Sequence, residues 1–275
     1  MASHKLSPAV AHNQGTSFAT PRVAHKLAVV LQELHELGID DISAPLLKAF
    51  LINSATYRQE ISDIKEQFDS APNKQWLQVL GYGLPDSTRA TDCDDYSALI
   101  FHQGELATNE TAFFSIPVPT QLAESSDGKR ISVTLAHYPE VQKWGLESYF
   151  GTDLKWRMFR GDVDRDAVLE AMSREDENDK SDGPKMPAEL AFEHKLTRRS
   201  RGSVQHDWMD WKNHRKEFSE CHYTLAISAS SRWTRKAGPT KFAVVVRIED
   251  LGGTVPIYTE IATELDVLIE EEVEV

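Results

Sequence analysis

The sequence predicts an α+β chain in two parts, a helical N-terminal part followed by an antiparallel β-sandwich. Three observations carry this reading. Apolar residues recur at helical spacing in two separate runs before residue 56. Beyond about Glu105 the signal changes to short strand-like runs separated by Gly, Pro, Asp and Ser. Between them, "QVLGYGLPD" (residues 78–86) interrupts the helical pattern with two glycines and a proline.

Taken in order, the first helix is expected over residues 16–37, where Val23, Leu27, Val30, Leu31, Leu34 and Leu37 keep helical spacing. Thr16 or Ser17 suits its N-cap, Pro21 is tolerated in the first turn, and Gly38 closes it. The second helix lies in "SAPLLKAFLINSA", capped by Ser43, with Leu46, Leu47, Phe50 and Leu51 on one apolar face. Strand-like runs follow at "TAFFSIPV", "RISVTLAHY", "AELAFEHKL", "HYTLAISAS" and "KFAVVVRIE". The boundary falls near residue 105, giving parts at 1–105 and 106–265 and an acidic tail at 266–275. The acidic stretch at 161–184, "GDVDRDAVLEAMSREDENDKSDGP", is expected as a long surface loop of the second part.

Composition narrows the classes of partner. The chain has 275 residues and a formal net charge of -13, with "KLTRRSRG" (residues 195–202) a basic exception. An excess of carboxylates argues against a nucleic-acid partner, whose phosphates need basic surface. Cys93 and Cys221 are too few and too far apart for a disulfide framework or a zinc site. Nothing in the sequence implies a metal or a cofactor, and none is expected. No run approaches the about 20 apolar residues of a membrane span. The start, "MASHKLSPAV", lacks the apolar core of a secretory signal, which reads as a cytoplasmic chain.

Chemistry concentrates in "GTSFATP", residues 15–21. A serine at a helix start sits among unpaired backbone N–H groups at the positive end of the macrodipole. An oxyanion forming beside Ser17 would be stabilised by those donors, the serine's own N–H included. Gly15 lets a substrate backbone approach, Ala19 keeps the first turn small, and Pro21 gives up an N–H that has no partner there anyway. The pattern differs from the Gly-x-Ser-x-Gly elbow of strand-turn-helix hydrolases.

All seven positions of "GTSFATP" resemble the serine signature of the subtilase family, the subtilisin-like serine endopeptidases. The long helix, "APLLKAFLINSA" and "GYGLPD" follow in the order that family implies. "RISVTLAHYPEV" and "RGSVQHDWMDW" look like the C-terminal domain of a bacterial subgroup. The resemblance therefore implies the helical C-terminal part of a subtilisin-like α/β catalytic domain, followed by the antiparallel β-sandwich. It implies Ser17 as nucleophile, Gly15 and Thr16 as substrate-binding neighbours, and a peptide or protein substrate. It also implies an AAA-type ATPase as a possible partner encoded nearby.

A serine hydroxyl is a weak nucleophile without a positioned base. In the subtilisin arrangement the chain order is Asp, His, Ser, so both partners belong upstream of Ser17. No Asp-Ser/Thr-Gly motif precedes Ser17, no His-Gly pair occurs anywhere, and the family's oxyanion asparagine has no counterpart here. Asn13 lies too close to Ser17 to be that asparagine. His4 and His12 precede the serine, while His25 lies more than two helical turns past it and His35 further still. His206 in "SVQHDW" reads as a partly exposed structural histidine of the sandwich, and the tryptophans of "DWMDWKNH" as core. The expectation is a chain inactive alone, completed by a missing N-terminal catalytic half or by a partner chain supplying it. The alternative is a non-catalytic interaction module that retains a relic motif. On the fragment reading, the Val23/Leu27/Leu31/Leu34 face of the first helix is left partly uncovered.

Overall fold

A computed structural model of the chain describes residues 15–57, 77, 80–125, 128–142, 149–177, 186, 188–194, 202–211, 222–233 and 238–262. The elements in chain order are α1 (Thr16–Glu36), α2 (Ala44–Asn53), α3 (Ser87–Thr91), β1 (Ser97–Leu106), β2 (Thr111–Pro117), α4 (Thr120–Glu124), β3 (Lys129–Tyr138), β4 (Thr152–Arg160), α5 (Arg165–Glu177), β5 (Val204–Trp211), β6 (His222–Ser231) and β7 (Thr240–Asp250).

The strands form two antiparallel sheets, one of order β1-β7-β3-β5 and one of order β2-β6-β4. Strand periodicity explains why they face each other. On β3, Ile131, Val133 and Leu135 point inward; on β7, Phe242, Val244, Val246 and Ile248 do the same. They meet Leu154, Trp156 and Met158 of β4 and Tyr223, Leu225 and Ile227 of β6 in one core. Each such side chain contributes about 1.5–3 kcal/mol by leaving water.

The outward positions of the four-stranded sheet are split along their length. At one end Ala136, Val204, Ala243 and Val245 form an apolar patch, and α2 covers it with Leu46, Ala49, Phe50 and Leu51. The Ser43 hydroxyl caps α2 by accepting from Leu46 N at 3.3 Å, and the Gln103 side chain on β1 accepts from Ser43 N at 3.1 Å. Val30 and Leu34 of α1 complete that layer. At the other end the outward residues are Arg130, Ser132, Thr134, His206, Trp208 and Asp210, paired in register across β3 and β5. On the smaller sheet, Val168 and Met172 of α5 pack over Phe159 and Ala226.

This architecture corrects the expected fold class. The described residues are dominated by two antiparallel sheets, and the helices are not a separate α/β part ahead of a sandwich. α1 and α2 share a core with the outer face of the four-stranded sheet. Periodicity reveals that a helix has an apolar face, but not what that face packs on. The acidic stretch at 161–184 also differs from the expected loop, since α5 occupies Arg165–Glu177. Val168, Ala171 and Met172 are buried within it, an i, i+3, i+4 face that its charged neighbours mask in composition. Of "AELAFEHKL", residues 188–194 are described and make only a one-residue bridge, Glu189 to Phe159. Residues 195 and 196 of that run lie outside the described residues.

Candidate functional site

The start of α1 is built by Gly15. It holds φ 146° and ψ 152°, a backbone state that side chains rarely adopt, and it takes the N-cap position without a side-chain cap. Thr16 and Ser17, expected as caps, are instead the first two helical residues. A Cβ on Gly15 would meet only Phe18 Cδ2, at 3.9 Å, so conformation rather than space demands glycine there. The Phe18 N–H donates to Gly15 O at 3.0 Å, and Thr20 Oγ1 donates to Thr16 O at 3.1 Å. Gly15, Thr16 and Ser17 are all exposed. Among the described residues no imidazole or carboxylate hydrogen-bonds to Ser17. His25 is exposed on α1, and His35 lies 3.7 Å from Asp40 at the far end of the helix. His4, His12 and Asn13 lie outside the described residues.

A second concave site lies where the helical layer stops. Past the C-terminal end of α2, the chain from Asn53 to Tyr57 and the "GYG" turn stand over the polar end of the four-stranded sheet. They enclose a cleft of about 260 Å³ floored by Arg130, Ser132, His206, Trp208, Asp210 and Glu249. Gly83 makes this closure possible. Its φ is +99°, and a Cβ there would lie 2.5 Å from Thr56 O. That approach lets Thr56 and Leu84 exchange backbone hydrogen bonds of 3.1 and 2.9 Å. The Tyr57 hydroxyl donates to Gly81 O, and the Tyr82 hydroxyl donates to Val204 O at 3.1 Å.

The cleft is backed by a directional hydrogen-bond chain. Arg247 Nε donates to Asn53 Oδ1 at 3.1 Å, which fixes the amide orientation. Asn53 Nδ2 then donates to Thr134 Oγ1 at 3.1 Å, and Thr134 lies 2.7 Å from His206 Nδ1. The threonine hydroxyl is fully buried, and donating to Nδ1 gives its hydrogen an acceptor that no other described contact supplies. Burial, helped by the charges of His194, Arg89 and Arg130, pulls the His206 pKa down to about 3. The ring is therefore neutral with its proton on Nε2.

Two ion pairs flank the imidazole. Arg130 holds Asp210 through Nε and Nη2 at 2.6 and 2.8 Å, and the partnership raises the arginine's pKa. Arg89 holds Glu249 Oε1 at 2.5 Å and donates to Ser54 O at 3.2 Å. Glu249 Oε2 is buried and has no donor among the described residues. Burial raises the Tyr82 hydroxyl pKa, so that ring is also neutral.

His206 thus departs from the sequence expectation: it is 3% exposed and bonded, not partly exposed. The tryptophans divide by strand alternation, with Trp211 in the core and Trp208 at the cleft. Sequence reasoning missed the cleft because its residues come from five distant segments. The available signals were the glycines around Tyr82 and the alternating "VQHDW" of β5.

Residues 3–83 match the family model of the Subtilase family (Peptidase S8). An uncharacterized protein of Sinorhizobium fredii (strain NBRC 101917 / NGR234), y4bN, is 29% identical over 238 residues, 85% of this chain and 52% of its own length. The chain thus spans about half the length of that curated relative. Likeness to solved structures is slight. Tomato Aspermy Virus gives 13% identity over 72% of this chain and 97% of its own, at a TM-score of 0.31. Tobacco streak virus coat protein gives 12% identity over 57% of this chain and 89% of its own, at a TM-score of 0.21. Neither likeness carries an argument about fold or function. The family match covers residues 3–83, less than half of the chain, and for that region it supports a protease-related function at the level of the family. No helix among the described residues is long and apolar enough to cross a membrane.

Proposed function

We propose that this chain carries the nucleophile of a subtilisin-like serine endopeptidase, with Ser17 as that nucleophile. The observation that carries the reading is a complete serine signature, "GTSFATP", within residues matching the subtilase family. Its position at an exposed helix start without a side-chain cap supports the chemistry. Ser17 Oγ attacks the peptide carbonyl and its proton passes to a base. The oxyanion is held by N–H groups of the first turn, the C–N bond breaks, and the base returns the proton to the leaving amine. Water then releases the acyl group by the same steps in reverse. Gly15 and Thr16 border the bound substrate backbone.

The base and the carboxylate that orients it come from polypeptide beyond these 275 residues, either an N-terminal catalytic half or a partner chain. The chain alone is inactive in this reading, because no base stands against Ser17 among the described residues. A relative of which the match covers only 52% is consistent with that division. The rival reading, a non-catalytic interaction module keeping a relic motif, draws on the same missing acceptor.

A fluorophosphonate serine probe separates the two. The expected outcome is no labelling of the chain alone, and labelling at Ser17 once the polypeptide encoded upstream is supplied. Failure to label in both arms would leave the module reading in place.

A further inference from the structure

The cleft beneath Tyr82 has no part in the chemistry proposed for Ser17, yet its lining has the character of a binding site. Its walls carry two positive and two negative side chains, Arg89 and Arg130 against Asp210 and Glu249. A chain of net charge -13 has not simply extended its acidic surface here.

The unsatisfied valences are of both kinds. Glu249 Oε2 is a buried carboxylate oxygen with no donor among the described residues. Leaving such an acceptor unpaired is costly, and the fitting partner is a charged N–H donor. The carboxylate of Asp210 is about one-third exposed, with one hydrogen bond to each oxygen. The cleft also opens past the C-terminal end of α2, where the helix dipole favours positive charge. On the donor side, Arg130 uses Nε and Nη2 on Asp210, leaving Nη1, and neutral His206 carries its proton on Nε2.

We infer that this cleft binds a free amino acid or dipeptide as its zwitterion, the α-ammonium held by Glu249 and the α-carboxylate by Arg130 and His206. A volume of about 260 Å³ admits a ligand of that size. A purely cationic ligand would face Arg89 and Arg130 with no counter-charge of its own. A purely anionic one would leave Glu249 Oε2 unpaired. Only a group bearing both charges answers both halves of the lining. The site needs no reactive serine and is independent of the endopeptidase reading.

Calorimetric titration of the 275-residue chain carrying Ser17→Ala tests this, with L-alanyl-L-alanine, its N-acetyl derivative and its C-terminal amide as probes. The expected result is saturable binding of the free dipeptide, weakened about tenfold or more by either blocking group. Glu249→Gln, which keeps the shape, should weaken the free dipeptide to the level of the N-acetyl derivative while leaving the latter unchanged. Arg130→Gln should do the corresponding thing for the amide. Absence of binding at millimolar free dipeptide overturns the proposal, as does equal binding of all three probes. The blocked probes act on one folded protein, so misfolding of a variant cannot produce the pattern.

Discussion

The two ends of α1 stand in opposite situations. At the C-terminal end Val30 and Leu34 are 0% and 1% exposed, wedged against α2 and within reach of the apolar patch on the four-stranded sheet. At the N-terminal end the residues from Gly15 to His25 are exposed, apart from a half-buried Phe18, and Val23 keeps 40% of its surface in water. One helix thus has an anchored half and a projecting half, with the serine on the projecting one. The lesson is a division of labour: residues that fix the helix are not those proposed for chemistry, so each set should respond to a different measurement. The expected face of Val23, Leu27, Leu31 and Leu34 is likewise divided, with Leu34 buried, Leu27 and Leu31 half-buried and Val23 exposed.

Ser17→Ala is the largest break available. In the completed assembly it should lower peptide turnover by about 10⁶-fold, the loss expected when a serine protease loses its nucleophile. The unfolding midpoint should move little, because the side chain is exposed. A stability loss at Ser17 equal to that of a core residue would erase the contrast between the two ends.

Leu34→Ala should do the reverse. Removing a side chain that is 1% exposed should cost about 2–5 kcal/mol in denaturant unfolding, by lost transfer energy and the cavity left behind. Probe reactivity of Ser17 per folded molecule should stay unchanged.

A pH series examines the anchored region from another side. His206 has a folded pKa of about 3 against an ordinary 6.5. The unfolded chain takes up a proton as pH falls through 6.5, while the folded chain resists until about pH 3. The stability is therefore full above the unfolded value and is lost progressively between those limits. His137, pushed down to about 4 by burial and by Lys48, acts in the same direction. Unfolding midpoints compared at neutral and mildly acidic pH should show the decline, and His206→Gln should flatten part of it.

The smallest effect is expected at Val23. Its replacement by Ala should change stability by no more than about 0.5 kcal/mol, as for exposed positions generally. A loss several times larger in the isolated chain would mean that the projecting half is covered after all, which differential scanning calorimetry would detect.

Much of the local structure was legible. The helical spacing from Val23 to Leu34 gave α1, and Ser43 marked the start of α2. Alternation or apolar runs gave β2, β3, β6 and β7. The strands β1 and β4 escaped for different physical reasons. β1 holds Leu99, Ile100 and Phe101 in succession because both faces of its sheet are partly covered, so no alternation shows. β4 carries Arg157, a charge that reads as surface yet has a side chain 1% exposed, neutralised by Glu189 at 2.7 Å. α5 was hidden by its acidic residues. The serine signature needed no structure at all, since its seven residues are contiguous.

What the sequence determined alone was whatever neighbouring residues can settle among themselves: helix starts, apolar faces, strand alternation, and the serine in its glycine-bounded turn. What the tertiary structure decided was which face meets which. It set α2 on the sheet's outer side, and brought Asn53, Thr134, His206 and Arg247 into one hydrogen-bonded chain. Backbone preference acts over a few residues and leaves its mark in spacing. Burial and pairing between positions nearly two hundred residues apart, such as Asn53 and Arg247, depend on the folded packing and leave no local signature.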